Sequence, residues 1–212
     1  DLHTKVMDSN KDAPCKKIAD DFIIGDITNY DDVINFGNSV DLITVEIENV
    51  NTDALEFLEK LGKKVYPSPK NLRIIQNKSD QKNFYSKNNL PTSRFKNYSN
   101  IEELKRNFLH DNFEFPFVWK SSRFGYDGKG VKIIKNIEDL DFSYDHQCLI
   151  EEKISIKKEL SVIVSRNTDG EIKCFPVVEM EFNEKSNLVE YVMCPANISK
   201  KIEEKAIMIA SE

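Results

Sequence analysis

The first third of the chain alternates short apolar runs with segments of helical periodicity, an order that predicts parallel βαβ units. Asn51 is placed to cap one of these helices and Gly62 to end it. Leu55, Leu58 and Leu61 recur along it at the spacing of one helix face. The runs that predict strands are Lys5-Val6-Met7, Phe22-Ile23-Ile24, Val40 to Val45 and Val65-Tyr66. Ligands of such doubly wound sheets bind at the carboxyl ends of the strands.

The chain after about Phe95 has a different pattern, in which apolar runs follow one another closely and predict antiparallel pairing. Ser99 or Asn100 is placed to cap a helix early in this part, and Ser199 to open another near its end. Asn167-Thr168-Asp169-Gly170 is a hairpin turn signal. The predicted strands are Phe115 to Lys120, Val131 to Ile134, Cys148 to Glu152, Leu160 to Ser165, Lys173 to Val178 and Leu188 to Met193. The fold class is therefore α/β in the first part and α+β in the second.

Composition narrows the possible partners. Apolar residues make up 40% of the chain and charged residues 31%, as in ordinary globular proteins. The net charge of -6 and the scattered lysines argue against a nucleic-acid partner. No apolar stretch approaches the length that spans a bilayer, so we expect no membrane partner and a cytoplasmic location. The four cysteines and three histidines lie far apart, so neither a zinc site nor a disulfide framework is predicted.

One loop concentrates the residues suited to phosphate chemistry. Three of the seven glycines lie in Gly125-Tyr126-Asp127-Gly128-Lys129-Gly130. Glycines let backbone N–H groups approach an anion closely, and Lys129 in the loop and Lys120 on the preceding strand add positive charge. Strands flank the loop on both sides, so it is not a Walker loop. Taken alone, these six residues fit an Asp-Gly hairpin turn equally well.

Acidic residues downstream fit a nucleotide. Glu151-Glu152-Lys153-Ile154 has the order of acid, backbone and apolar positions expected where an adenine edge is recognised. Glu159 follows at a spacing that could reach a ribose hydroxyl. Judged one at a time, these glutamates fit solvated surface charges; beside the glycine loop they favour an ATP site.

The same loop is similar to that of a known enzyme family. Phe124 to Val131 resembles the phosphate loop of the 5-(carboxyamino)imidazole ribonucleotide synthases, ATP-grasp enzymes that form the ATPase subunit of phosphoribosylaminoimidazole carboxylase. Further matching stretches follow the same order along nearly the whole chain. They are Thr44 to Val50, Tyr66 to Pro69, Leu72 to Gln76, Lys78 with Gln81-Lys82, Leu90 to Thr92, Glu159 to Val162 and Phe175 to Val178.

The resemblance implies an ATP-grasp fold in three parts. Residues 1–94 would form a parallel βαβ pre-ATP-grasp domain, residues 95–153 a lid subdomain with the phosphate loop, and residues 154–212 the start of the C-terminal ATP-grasp domain. Family members begin with a strand and a glycine-rich turn that would precede Asp1. They also continue past the position of Glu212, into strands whose acidic residues hold magnesium. We therefore expect the metal ligands beyond Glu212 and assign none within the chain.

The resemblance also implies a reaction. ATP would phosphorylate bicarbonate to carboxyphosphate, which would carboxylate 5-aminoimidazole ribonucleotide in de novo purine (IMP) biosynthesis. ATP and Mg²⁺ would be the cofactors. The implied partners are the two substrates, a second copy in a homodimer, and functionally the mutase that uses the product. A different ATP-grasp ligase, such as a formate-dependent glycinamide ribonucleotide enzyme, would lack Tyr126-Asp127. A nucleotide-binding module without turnover is the alternative from another class.

Site residues follow from the resemblance position by position. Lys78 and Lys120 would contact the ATP phosphates, Glu151 to Ile154 the adenine, and Glu159 the ribose. Glu46, with Glu48 as the alternative, would meet the nucleotide substrate, and Tyr126 and Lys129 would reach it from the lid. The loop residues expected to close over the phosphates are Gly125, Tyr126, Asp127, Gly128, Lys129, Gly130 and Val131, and those at the adenine are Glu151, Glu152, Lys153 and Ile154. No catalytic residue is assigned.

Three departures from the family pattern accompany these matches. Ser121 to Phe124 replaces a more glycine-rich and basic lead-in to the loop. Phe182 stands where many members carry a histidine, and Asn77 stands before Lys78 where an aspartate is common. We expect a stiffer loop and one altered contact near the nucleotide, while the phosphate ligands remain.

Overall fold

The computed structural model describes residues 2–123, 125, 130–183 and 188–212. The chain divides into two compact units between Asp80 and Gln81. The helices are α1 (Tyr30–Asn38), α2 (Thr52–Lys60), α3 (Pro69–Ile75), α4 (Lys78–Lys87), α5 (Ile101–Asn107) and α6 (Lys200–Ser211). The strands are β1 (Lys5–Asp8), β2 (Asp21–Ile24), β3 (Leu42–Thr44), β4 (Lys64–Tyr66), β5 (Phe95–Tyr98), β6 (Phe117–Ser121), β7 (Val131–Ile134), β8 (Cys148–Glu152), β9 (Glu159–Ser161), β10 (Val164–Arg166), β11 (Ile172–Cys174), β12 (Val178–Phe182) and β13 (Val189–Met193).

The first unit contains the predicted parallel strands. β1 pairs with β2, placing Val6 opposite Phe22, and β3 pairs with β4, placing Ile43 opposite Val65. α1 and α2 pack against each other, and Leu55 and Leu58 of α2 are fully buried. The core of this unit comprises Val33, Ile43, Val50, Ala54, Leu55, Leu58, Val65 and Leu72. The βαβ prediction for this part of the chain is confirmed.

Helix α2 begins as predicted but ends earlier than the apolar spacing indicated. Asn51 is its N-cap, and the side-chain oxygen accepts a hydrogen bond from the N–H of Ala54 at 2.9 Å. Leu61 continues the spacing of Leu55 and Leu58 but does not share their burial, since its side chain is 58% exposed. The helix stops at Lys60, and Leu61 is the C-cap with a non-helical ψ of 1°. Gly62 follows at φ +91°, so the chain turns away before Leu61 can pack.

The second unit is built on a four-stranded antiparallel sheet in the order β5-β8-β6-β7. Helix α5 contributes Ile101 and Leu104 to the core on one face of this sheet. Its N-cap is Asn100, which settles the choice between Ser99 and Asn100. The other buried members of this core are Tyr98, Phe108, Phe117, Trp119, Ile134, Leu140, Cys148 and Ile150. Strand β5 was not predicted, because only its pairing with β8 makes the polar-rich run Phe95 to Tyr98 a strand.

The remaining strands differ in their bounds from the predictions. The run Leu160 to Ser165 is two strands, because β9 pairs with β12 whereas β10 pairs with β11. The run Lys173 to Val178 likewise divides between β11 and the first residue of β12. The turn predicted at residues 167–170 joins β10 to β11, with Gly170 at φ +86°. Within the described ranges, no helix combines the length and the apolar composition that crossing a bilayer requires.

Candidate nucleotide-binding site

Strands β6 and β8 place two charged side chains on the same face of the sheet. Along β6, Phe117 and Trp119 point into the core, so the alternating Val118 and Lys120 occupy the opposite face. The antiparallel register sets Val118 opposite Glu151 of β8. Lys120 is therefore the diagonal neighbour of Glu151, within reach of its long side chain. The pleat of β6 and its register with β8 thus bring the two charged groups of this ion pair together.

Glu151 is the centre of a buried polar cluster. Its Oε1 lies 3.1 Å from Nζ of Lys120, and its Oε2 lies 3.1 Å from Nζ of Lys82 in α4. The hydroxyl of Ser93 donates a hydrogen bond to the same Oε2 at 2.9 Å. Lys82 also donates to the hydroxyl oxygens of Thr92 at 2.6 Å and Ser93 at 2.9 Å. Two ammonium groups therefore share one carboxylate, which leaves one net positive charge at this position.

The cluster keeps Glu151 ionised. Burial by itself raises the pKa of this carboxyl group, since it disfavours the charged form. The positive charges of Lys120 and Lys82 and the hydrogen bond from Ser93 outweigh burial, so the pKa of Glu151 is lowered. A buried carboxylate paired in this way fixes the positions of the groups that contact it.

A cavity of about 520 Å³ opens over this face of the sheet. Lys120, Glu151 and the apolar side chains of Val118 and Ile133 line its floor, and residues 152–156 line one side. Strand β8 ends at Glu152, the predicted bound, so Lys153 and Ile154 follow the strand. Backbone groups just beyond a strand end are available to hydrogen-bond a planar heterocycle. The cavity therefore combines an apolar slot, a backbone edge and a cation, which is the combination that ATP requires.

Glu159, the expected ribose contact, begins β9 and is half-buried. The residue before it is anchored firmly. Nζ of Lys158 lies 2.8 Å from Oε1 and 2.9 Å from Oε2 of the buried Glu179 in β12. The N–H of Asn197 donates to the same carboxylate at 3.2 Å. This contact fixes the start of β9, although Glu159 is not among the residues lining the 520 Å³ cavity.

The glycine-rich segment connects β6 and β7 as a hairpin, with Lys120 opposite Val131. Gly130 has φ +72°, and a Cβ on it would lie 2.2 Å from Oγ of Ser121. The N–H of Ser121 donates to the carbonyl oxygen of Gly130 at 2.8 Å, which closes the base of the hairpin. Tyr126, Asp127, Gly128 and Lys129, four of the expected loop ligands, lie outside the described residues.

The first unit has a cavity of its own, of about 400 Å³. It lies at the carboxyl ends of β1 and β3, where Asp8 and Ser9 face Thr44 and Glu46. Glu46 is exposed and lines this cavity, whereas Glu48 is not among the lining residues and its carbonyl oxygen accepts from Gln76. This placement favours Glu46 over Glu48 as a ligand contact.

Lys78, the remaining expected phosphate contact, is the first residue of α4 and belongs to the first unit. Asn77 before it is buried, and its side-chain oxygen accepts from the N–H of Ser79 at 3.0 Å. Asparagine thus fulfils the capping role at the start of α4 that an aspartate could also serve.

Sequence reasoning did not assign Lys82 and Ser93 to the site. Both precede Glu151 by more than fifty positions in the chain, so no local spacing could connect them to it. The only available signal was that Lys82 belongs to one of the stretches shared with the resembled family. For metals, the described ranges contain no group of three or more His, Cys, Asp or Glu side chains that could hold an ion.

Comparison with known proteins identifies two family domains along the chain. The ribonucleotide synthetase pre-ATP-grasp domain matches residues 1–76, and the ATP-grasp domain matches residues 83–212. The N5-carboxyaminoimidazole ribonucleotide synthase of Bacillus subtilis is 32% identical over 210 residues, covering 97% of this chain and 54% of that protein.

Solved structures give the same result. The N5-carboxyaminoimidazole ribonucleotide synthetase from Thermotoga maritima superposes with a TM-score of 0.81 at 33% identity, covering 98% of this chain and 52% of that one. The N5-carboxyaminoimidazole synthase of Aspergillus clavatus, in complex with ADP and 5-aminoimidazole ribonucleotide, has a TM-score of 0.82 at 28% identity, covering 98% and 54%. The ATP-grasp fold expected from the sequence is thereby confirmed.

The chain spans between 37% and 54% of the length of three curated relatives that it matches. Within that span, the two matching domains follow one another in order and leave only residues 77–82 between them. This chain is therefore a member of the ATP-grasp family, with a ribonucleotide synthetase pre-ATP-grasp domain ahead of the ATP-grasp domain.

Proposed function

We propose that the full-length protein is an ATP-dependent C–N ligase that carboxylates 5-aminoimidazole ribonucleotide to 5-(carboxyamino)imidazole ribonucleotide in de novo purine biosynthesis. The observation that carries this proposal is the ion pair of Lys120 and Glu151 on the floor of a cavity sized for a nucleotide. Lys82 pairs with the same carboxylate without lining the cavity. The names of the relatives and the bound ligands of the Aspergillus structure supply the reaction and its substrate.

For the nucleotide, we assign tasks to residues of the cavity and to the further contacts that the family resemblance implies. Lys120 would neutralise phosphate charge, with Lys78 as a second phosphate contact. Val118 and Ile133 would pack against the adenine ring, the backbone of residues 152–154 would meet its polar edge, and Glu159 the ribose. Residues 125–131 would close over the phosphates. A lid of this kind excludes water, which a mixed anhydride of carbonic and phosphoric acid needs in order to survive.

We propose that 5-aminoimidazole ribonucleotide, the second substrate, binds in the 400 Å³ cavity of the first unit. Glu46 at the end of β3 is suited to accept hydrogen bonds from ribose hydroxyls or from the exocyclic amine. Tyr126 and Lys129 would reach the same nucleotide from the lid. In this division of labour, residues of the ATP-grasp domain bind the phosphoryl donor and the pre-ATP-grasp domain binds the acceptor.

The proposed reaction also implies a phosphoryl acceptor and a metal ion. Bicarbonate would accept the terminal phosphoryl group of ATP, and ADP would leave. The amine would then attack the carboxyl carbon of carboxyphosphate, and inorganic phosphate would leave. Mg²⁺ would neutralise charge developing between the phosphates during transfer. We also propose that the protein is a cytoplasmic homodimer and that a mutase uses its product. We further propose that the chain has three domains, with boundaries at residues 94/95 and 153/154.

The ATP site is tested by Lys120→Ala in the full-length protein. Loss of one charge-assisted contact should weaken binding of a non-hydrolysable ATP analogue roughly tenfold to a hundredfold. Lys96→Ala is the matched control, because Lys96 lies on β5 of the same sheet and pairs with Asp111 away from the cavity. Isothermal titration measures both variants. Wild-type affinity in Lys120→Ala would reject the assignment of this cavity to ATP.

The reaction is tested by release of ADP. The purified protein should release ADP only when 5-aminoimidazole ribonucleotide and bicarbonate are both present. ADP release that depends on a different acceptor, such as glycinamide ribonucleotide with formate, would reassign the activity while leaving the ATP site intact.

A further inference from the structure

Lys82 contacts Glu151 of the proposed ATP site but does not line its cavity. Its side chain is only 12% exposed. Three acceptors surround its ammonium group: Oγ1 of Thr92 at 2.6 Å, Oγ of Ser93 at 2.9 Å and Oε2 of Glu151 at 3.1 Å. An ammonium group has three N–H donors, so these contacts can use all of them. Lys82 is therefore poorly placed to touch a phosphate.

Lys120 is in the opposite situation. Its side chain is 28% exposed and lines the 520 Å³ cavity. Its ion pair with Glu151 uses the Oε1 oxygen alone, at 3.1 Å. The remaining N–H donors of Lys120 can point into the cavity, where a phosphate would lie.

Glu151 connects the two lysines. Its two oxygens are divided between them, and the carboxylate is 10% exposed, so water can do little to screen its charge. With both lysines present, the cluster carries one net positive charge. Without Lys82, the whole charge of Glu151 would act on Lys120, and the cluster would become neutral. The carboxylate would then also compete with a phosphate for the N–H donors of Lys120.

We propose that Lys82 is a positioning residue that neutralises Glu151 and so leaves the charge of Lys120 available to the phosphates of the nucleotide. This rests on the proposed ATP site. The effect of Lys82 on ATP passes entirely through Glu151, and it concerns the phosphates and not the base.

The first test compares ATP with adenosine, which has no phosphate. In the full-length protein, Lys82→Met should weaken ATP binding roughly tenfold while adenosine affinity stays within about twofold. Lys96→Met is the matched control, since Lys96 on β5 of this sheet also pairs with a mostly buried carboxylate, that of Asp111. It should bind both ligands as the wild type does. An equal loss of ATP and adenosine affinity in Lys82→Met would mean that Lys82 only supports the pocket, and the proposal would fail.

The second test is a double-mutant cycle, which remains decisive if Lys82→Met alone does not fold. Glu151→Gln removes the charge that Lys82 is proposed to neutralise. Adding Lys82→Met to Glu151→Gln should therefore change ATP affinity by less than about twofold. A roughly tenfold further loss would show that Lys82 acts on the phosphates directly, against the proposal. Lys82→Arg, which keeps the charge, should bind ATP within about threefold of the wild type.

The outcomes separate the two proposals. If Lys120→Ala binds ATP normally, the ATP site itself is misassigned. If Lys120→Ala loses affinity but Lys82→Met binds ATP like the wild type, only the role of Lys82 is rejected.

Discussion

At the scale of single residues, Gly130 shows why a glycine is required in the hairpin that carries the phosphate loop. Its φ of +72° is strained for any residue with a Cβ. Space is also short, because an added Cβ would lie 2.2 Å from Oγ of Ser121, the residue that its carbonyl oxygen holds in the hairpin. Gly170 has a similar φ of +86° but nothing within 4 Å. A substitution at Gly170 would therefore meet backbone strain alone, whereas one at Gly130 would meet both strain and steric overlap.

We expect Gly130→Ala to lower the free energy of unfolding by about 2–4 kcal/mol, and Gly170→Ala by about 1 kcal/mol. The difference is the overlap with Ser121, so Ser121→Ala combined with Gly130→Ala should regain part of the loss. Urea denaturation of the four proteins measures these changes. Equal losses at the two glycines would show that the hairpin base can open to admit a methyl group.

At the scale of elements, the helix caps explain where helices begin. The side chain of Asn51 accepts from the N–H of Ala54 at 2.9 Å and donates from Nδ2 to the carbonyl oxygen of Thr28 at 3.0 Å. It thus both starts α2 and ties it to the loop before α1. Ser199 occupies the corresponding position of α6 but makes no side-chain cap hydrogen bond. Asn51 and Ser199 are both N-cap residues, but only the Asn51 side chain forms a capping hydrogen bond.

Asn51→Ala should cost about 1 kcal/mol of stability, because it leaves a helix N–H without its acceptor. Ser199→Ala, the matched control, should cost only a few tenths of a kcal/mol. Hydrogen exchange of the Ala54 amide gives a local readout, and it should speed up in Asn51→Ala but not in Asn51→Asp, which keeps the acceptor. Unchanged exchange at Ala54 in Asn51→Ala would contradict the cap.

At the scale of the whole molecule, the four cysteines differ in burial, from the core to the surface. Cys148 lies fully buried in the core of the second unit, and burial raises the pKa of its thiol to about 11. Cys194 is exposed, and Cys15 and Cys174 are intermediate. Since the thiolate is the reactive form, both burial and the raised pKa of the thiol protect Cys148.

A thiol reagent at pH 8 should therefore modify Cys194 first and Cys148 last, at a rate set by opening of the second unit. A saturating ATP analogue should slow Cys148 further, because ligand binding stabilises the closed form by mass action. Mass spectrometry of labelled peptides over time follows each site, and Cys148→Ala should remove only the slowest step. Modification of Cys148 as fast as Cys194 would mean that this core is open in solution.

The sequence by itself determined the elements whose signals are local. Apolar runs predicted β6 and β8 as well as the parallel strands of the first unit, and Asn51 was recognised as a cap. Lys120 and Glu151 were identified as candidate ligands because each lies on a strand beside a recognisable motif. The ATP-grasp fold also followed, because its motifs occur in order along the chain.

Tertiary structure alone decided what depends on a distant partner. The run Leu160 to Ser165 looks continuous, but its halves pair with different strands and so form β9 and β10. Phe95 to Tyr98 becomes a strand because β8 offers it a ladder. Lys82 reaches Glu151 across 69 positions of sequence. Hydrophobic periodicity records which face of an element is buried, whereas an ion pair between elements depends on how they fold together, and no local pattern encodes that.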